Sequence, residues 1–121
     1  MDSIPTYMLK RIYIEGSLKN VDCGFEFQIK NNIAPGTLTG LKKIEVDGRT
    51  IEADKIMVGK KEATLKASEC SYQKPIYFNM GDVLVIRVLG ETLQPGKHDL
   101  VLTVNAAEIG SVNLPISDTI Q

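Results

Sequence analysis

Tryptophan is missing from this chain of 121 residues, and histidine occurs once, at His98. A structural zinc site needs about four nitrogen or sulfur ligands, which one histidine and two distant cysteines do not supply. A serine–histidine–aspartate triad would have to use His98, but no Gly-x-Ser-x-Gly motif accompanies it. The sequence therefore predicts no catalytic, cofactor-binding or metal-binding residue.

Neither sign of charge is in excess, and long apolar runs are missing. The formal net charge of −1 leaves no basic excess to bind a phosphate backbone. No apolar run approaches the ~20 residues of a membrane-spanning helix, and the N-terminus lacks the pattern of a signal peptide. We therefore expect a cytoplasmic protein with no nucleic-acid or membrane partner. In that compartment Cys23 and Cys70 should be reduced, the alternatives being a disulfide or a reactive thiol.

Clusters of glycine, proline and asparagine divide the chain into short apolar segments. Turn signals at this spacing, without a long helical pattern, are typical of an all-β antiparallel sandwich of immunoglobulin-like or jelly-roll type. We expect eight or nine short strands and at most one helical turn. Residues 1–7 should form a loose N-terminal lead-in, and residues 8–121 a single sandwich domain. Within it, residues 8–14 read as a first strand and residues 31–40 as a loop.

Three local patterns make sharper predictions. Gly24–Lys30 alternates apolar and polar residues, so it should be a half-buried strand with Glu26 facing outward. Asp47-Gly48 is the strongest short signal for a two-residue hairpin turn. Pro115 lacks an N–H group, which predicts that the strand at residues 111–117 lies at a sheet edge or points the missing donor outward.

The most apolar stretch reads as one hairpin, Gly81–Val104, with a loop between its two arms. Alternate residues of both arms can form one core-facing side. The other side would carry a second apolar stripe, which either a partner or a loop of the same chain should cover. The predicted interface residues are Val83, Val85, Arg87, Val101 and Thr103.

A second group of candidates lies on loops. Tyr72, Tyr77 and Phe78 flank Pro75, where aromatic side chains could contact a sugar or a partner, or plug one open end of the sandwich. His98 lies where a loop becomes a strand, so it is either an exposed structural residue or a pocket residue at a subunit contact.

Several turn and strand motifs recur together from about Tyr13 to Thr119. They are Gly24-Phe25-Glu26-Phe27, the segment from Asn31 to Gly40, Val46-Asp47-Gly48, Leu93-x-Pro95-Gly96-x-His98, and Gly110-x-Val112-x-Leu114-x-Ile116-x-Asp118. In this order they resemble the small β-subunits of bacterial C-glycoside deglycosidases and their uncharacterised relatives. The resemblance implies a β-sandwich subunit paired with a larger (β/α)8-barrel subunit that carries the divalent metal and the acid and base residues.

Three functions follow as hypotheses. The first is a non-catalytic accessory β-subunit, with weak or no activity alone, that pairs with a larger barrel-type sugar-processing subunit such as a C-glycoside deglycosidase (a lyase) and helps shape its active-site entrance. A homo-oligomer is the other assembly considered. The second is a stand-alone carbohydrate-binding or protein-interaction module, against which the lack of tryptophan counts. The third is an isomerase or lyase that uses His98 and nearby acids.

Overall fold

Two antiparallel sheets pack face to face in the computed structural model, which describes residues 4–121. Within these residues, one α-helical turn and ten strands follow in chain order: α1 (Thr6–Leu9), β1 (Lys19–Val21), β2 (Gly24–Lys30), β3 (Gly36–Val46), β4 (Arg49–Glu52), β5 (Ile56–Gly59), β6 (Leu65–Lys66), β7 (Ile76–Phe78), β8 (Val83–Leu89), β9 (Gly96–Ala106) and β10 (Gly110–Ile120). Single 3-10 turns lie at Ala53–Lys55 and Ala67–Glu69. The predicted all-β sandwich is confirmed, with more strands and more helical turns than expected.

The first sheet has the order β1-β2-β8-β5-β6, and the second has the order β10-β9-β3-β4, with β7 pairing beside β4 on the same side of β3. The core lies between the sheets. Alternate residues of β8 and β9 enter it, among them Leu84, Ile86 and Leu102, each at most 1% exposed. Because burial of such side chains supplies most of the driving force for folding, the two sheets stabilise one another across the core.

The predicted hairpin of residues 81–104 is wrong. Strand β8 lies inside the first sheet between β2 and β5, whereas β9 lies inside the second sheet between β10 and β3. The loop at residues 90–95 therefore crosses from one sheet to the other. Two consecutive strands that each have an apolar face can lie in facing sheets and pack those faces against each other, or they can pair within one sheet. A loop without a two-residue turn does not impose pairing within one sheet.

Two other local predictions also need correction. Residues 8–14 do not form a strand, because α1 occupies Thr6–Leu9 and Tyr13 makes only an isolated bridge with Ile29. Residues 31–40 are not all loop, because β3 begins at Gly36. Its first residues pair with β7 on one side and from Leu38 with β9 on the other, so neighbouring strands order a segment whose composition favours a loop.

The Asp47-Gly48 hairpin and the edge position of Pro115 are confirmed. Asp47 and Gly48 both have positive φ, 50° and 87°, as a type I′ turn requires, and they join β3 to β4. Pro115 lies in β10, at the edge of the second sheet. Among residues 4–121, no helix has the length and apolar character to cross a membrane.

Candidate functional site

The five predicted interface residues do not form one surface. Val83, Val85 and Arg87 alternate with core residues of β8 on the outer face of the first sheet, whereas Val101 and Thr103 lie on the outer face of the second sheet. Val85 and Thr103 are buried within the chain itself, at 6% and 8% exposure. The prediction of one apolar stripe is therefore wrong, and contact of these residues with another chain stays a prediction.

Glu26 faces outward from the first sheet, as predicted, but it is buried there rather than exposed to solvent. Its register partner across β2 and β8 is Arg87, which donates from Nε and Nη2 to Glu26 Oε1 at 3.0 and 2.7 Å. The hydrogen bond with this carboxylate raises the pKa of Arg87 above its ordinary value. An acidic side chain can therefore be buried on the outer face of the sheet because its partner is directly opposite.

The candidates predicted on loops are also separated, and Tyr77 and Phe78 lie in β7 rather than on a loop. Phe78 is 6% exposed and belongs to the core, whereas Tyr72 and Tyr77 are 78% and 59% exposed. Strand β7 pairs with the first residues of β3, while His98 lies beside the turn at the other end of β3. The structure therefore does not combine the aromatic residues and His98 into one pocket, and the roles of Tyr72 and Tyr77 stay predictions.

His98 is held by both ring nitrogens. Its Nδ1 lies 2.7 Å from Asp47 Oδ2, and its Nε2 lies 2.8 Å from the carbonyl oxygen of Gln94. Since both partners can only accept, this geometry suits the charged imidazolium, in which both ring nitrogens donate. The hydrogen bond with Asp47 raises the pKa of His98 above its ordinary value and lowers the pKa of Asp47. Asp47 Oδ1 also accepts the backbone N–H of Asp99 at 2.9 Å.

A second ion pair joins the first residue of β4 to the loop at residues 90–95. Arg49 donates from Nη2 and Nη1 to the two carboxylate oxygens of Glu91 at 2.7 and 3.2 Å. We call Asp47, Arg49, Glu91 and His98 the ionic clamp. It ties the loop at residues 90–95 and the start of β9 to the β3–β4 hairpin at one end of the sandwich.

Leu93 anchors the loop at residues 90–95 to the core. Its side chain is buried in the core, and its backbone N–H and carbonyl both bond the side-chain amide of Asn20, at 2.8 Å each. Charged pairs on the surface and one apolar anchor beneath them therefore hold the crossover loop in place. No local sequence pattern predicts this arrangement, because the partners are distant along the chain.

The opposite end of the sandwich carries an apolar cavity of about 240 Å³. One wall consists of core-facing residues of β9 and β10, including Leu102, Val104 and Ala106, and another consists of residues from the N-terminal segment, including Leu9 and Ile12. The cavity was not predicted, because most of its lining residues are apolar and also fit ordinary core positions. One usable signal is Ala106, a small side chain that follows Leu102 and Val104 on the core-facing side of β9.

The two cysteines and Asp118 are the other titratable side chains considered. Cys23 and Cys70 are both free, as expected, with Cys23 exposed and Cys70 buried. Asp118 accepts hydrogen bonds from the Tyr13 hydroxyl and the backbone N–H of Gly16. Within the part of the chain that the structure describes, no group of three or more His, Cys, Asp or Glu side chains is placed to hold a metal ion.

Fold and site together define a β-sandwich domain with an ionic clamp at one end and an apolar cavity at the other. The family model described as "Hydroxymethylglutaryl-CoA reductase, N-terminal domain" matches residues 8–121. The chain belongs to this family. A comparison with the curated proteins finds no match.

This family overturns the resemblance to C-glycoside deglycosidase subunits. The sugar-processing accessory role and the link to carbohydrate metabolism are wrong with it, and the alternative of a stand-alone carbohydrate-binding or protein-interaction module has no support. The physical reason is that the motifs behind the resemblance, such as Asp47-Gly48, are turns and strand edges. Any sandwich of similar loop geometry can use them, so they do not identify a function.

Proposed function

We propose that this chain is a non-catalytic domain that binds to, and acts together with, the catalytic domain of a hydroxymethylglutaryl-CoA reductase. The family description supports the association with that enzyme. The observation that carries the non-catalytic role is the state of His98, whose two ring nitrogens are both engaged with Asp47 and Gln94. A histidine in this state has no free nitrogen with which to accept a proton from a substrate.

The acidic side chains support the same proposal. Glu26 bonds Arg87, Glu91 bonds Arg49, and Glu108 bonds the backbone and hydroxyl of Thr37. Each carboxylate thus joins two segments of the sandwich. General acid or base catalysis needs a carboxyl group within reach of a substrate proton, whereas these groups are occupied in holding loops and strands.

The test combines the purified chain with the catalytic domain of a hydroxymethylglutaryl-CoA reductase from the same organism. We expect no consumption of hydroxymethylglutaryl-CoA by this chain alone, and co-elution of the two proteins in size-exclusion chromatography. The variant His98→Gln serves as a control, because replacing a clamp residue should leave the reductase rate of the mixture unchanged.

Two results would contradict the proposal. One is turnover by the isolated chain that His98→Gln abolishes, and the other is separate elution of the two proteins at micromolar concentration. The partners predicted earlier, a larger (β/α)8-barrel subunit or a second copy of this chain, stay untested, and so does the cytoplasmic location.

A further inference from the structure

We propose that the apolar cavity is a binding site for one short, neutral aliphatic molecule. Its volume of about 240 Å³ exceeds the ~150 Å³ of a cavity that binds benzene and lies below the ~300 Å³ at which pockets for drug-sized ligands begin. A single short chain fits this volume, whereas a large ring system does not. This site consists of the chain's own residues, so it does not depend on a reductase partner.

The walls of the cavity supply apolar contact. Leu102, Val104 and Ala106 belong to β9, which is paired on both sides within the second sheet. Leu9 and Ile12 approach from the N-terminal segment, which bonds to β2 through Lys30 N–H and the Ile12 carbonyl at 2.7 Å. One wall is therefore a rigid sheet and the other is a short segment fastened to the first sheet, so the cavity is formed before a ligand enters.

Asn31, the polar side chain buried beside the cavity at 4% exposure, has no free hydrogen-bonding capacity. Its amide nitrogen donates to the carbonyls of Ala34 and Phe78 at 2.7 and 2.6 Å, and its oxygen accepts from the N–H groups of Ile33 and Ala34. A polar ligand group or a water molecule placed here would find no partner in this amide. The interior therefore selects for aliphatic groups.

Glu108 determines the charge that the ligand can carry. This exposed residue lies at the cavity rim, and its two oxygens accept the backbone N–H and the hydroxyl of Thr37 at 3.0 and 2.9 Å. These bonds, first of all the one from the backbone N–H, lower the pKa of Glu108, so the carboxylate is ionised at neutral pH. A carboxylate head group would meet a like charge, whereas a hydroxyl would not.

The test is a titration of the full chain with octan-1-ol and with octanoate, followed by two-dimensional amide NMR. We expect saturable shifts confined to the cavity residues, with octan-1-ol binding about fivefold more tightly than octanoate. The variant Glu108→Gln keeps an acceptor for Thr37 and removes the charge. It should bring the affinity for octanoate close to that for octan-1-ol.

The second part of the experiment uses variants that fill the cavity. Ala106→Leu should weaken octan-1-ol binding by about tenfold or more, because the added side chain occupies the ligand volume. Ala107→Leu is the matched control: Ala107 is exposed and does not line the cavity, so binding should not change. If Ala106→Leu alters the circular dichroism spectrum, Val112→Leu replaces it, since Val112 also lines the cavity.

Three results would overturn the proposal. The first is octan-1-ol shifts that do not saturate or that spread over the exposed surface. The second is unchanged octan-1-ol binding by a folded cavity-filling variant. The third is a dimer whose interface covers the cavity and which octan-1-ol does not dissociate, because the occupant would then be a second copy of the chain.

Discussion

Glu26 and Arg87 show how a single cross-strand partner decides whether a charged residue is exposed. The Glu26 side chain is 8% exposed, and the Arg87 side chain is 32% exposed. Lys19, the other cation near Glu26, is 3.8 Å away and 62% exposed. Arg87 is therefore the partner that compensates for the lost hydration of the Glu26 carboxylate.

Replacing Arg87 with Ala should lower the free energy of unfolding by about 2–3 kcal/mol, because it leaves Glu26 buried without its principal partner. Urea denaturation measures the change. Lys19→Ala is the control and should cost less than about 0.5 kcal/mol, since the pair it breaks is long and exposed. Adding Glu26→Gln to Arg87→Ala should restore part of the loss. Equal losses of stability in Arg87→Ala and Lys19→Ala would argue against the assigned role of Arg87.

His98 makes stability depend on pH. Its pKa in the folded chain lies above the ordinary value of 6.5, chiefly because of the hydrogen bond with Asp47, and that of Asp47 lies below 3.8. The stabilisation from His98 is therefore complete below pH 6.5 and is lost as the pH rises through the folded pKa. The stabilisation from Asp47 is complete above pH 3.8 and is lost as the pH falls through its folded pKa.

We expect the urea midpoint of the wild type to decrease above pH 6.5 and that of His98→Gln to stay flatter there. Because the chain has one histidine, its imidazole signal in proton NMR reports the pKa without ambiguity. A His98 signal that titrates at or below 6.5 would show that the ring is not held as described. The exposed pair Arg49–Glu91 keeps its charge over this range and does not contribute to the difference.

At the scale of elements, the approach of β2 to β8 depends on Gly24. A Cβ atom at this position would lie 1.8 Å from the carbonyl oxygen of Val88, which is rigid backbone inside the sheet. At Gly40, in β3, a Cβ atom would meet only the Asn105 side chain, at 3.6 Å or more, which is ordinary contact. Close backbone packing therefore excludes a side chain at Gly24, whereas it does not exclude one at Gly40.

Gly24→Ala should lower the free energy of unfolding by about 3 kcal/mol, because the strand pair must separate locally. Gly40→Ala, the matched control, should change it by less than about 1 kcal/mol. Thermal unfolding followed by circular dichroism measures both. A Gly24→Ala variant as stable as Gly40→Ala would mean that β2 and β8 tolerate a wider separation than the structure shows.

Whether an element could be predicted depends on whether local or distant residues decide its structure. The Asp47-Gly48 turn was correct because its geometry is decided by two adjacent residues that must adopt positive φ. The Gly81–Val104 hairpin was wrong because the partner of each strand is decided by packing across the core. The ionic clamp could not be found for the same reason: Asp47 and His98 are far apart in sequence, and their contact depends on the crossover of the loop that ends near His98.

For the whole molecule, the two thiols should report on global opening. Cys23 is exposed, whereas Cys70 is buried, its thiol donates to the Leu38 carbonyl at 3.3 Å, and burial raises its pKa. Because the thiolate is the reactive form, iodoacetamide should modify Cys23 in the folded chain and Cys70 only when the sandwich opens.

Mass spectrometry of the modified chain measures this difference. Modification of Cys70 should be at least about tenfold slower than that of Cys23, and urea near the unfolding midpoint should remove the difference. The variant Cys23→Ser isolates the Cys70 rate. If Cys70 reacts at the Cys23 rate without denaturant, the segment that covers it opens locally and the core is less cooperative than the packing implies.

What the sequence by itself determined is local: the alternation of Gly24–Lys30, the turn at Asp47-Gly48, the edge position of Pro115 and, from their sum, an antiparallel β-sandwich. Each depends on the backbone and side-chain preferences of a few neighbouring residues. Only the tertiary structure decided that β8 and β9 lie in different sheets, that Glu26 is buried against Arg87, and that the sandwich has an ionic end and an apolar cavity. These features depend on which distant segments come into contact, and packing of the whole core selects those contacts.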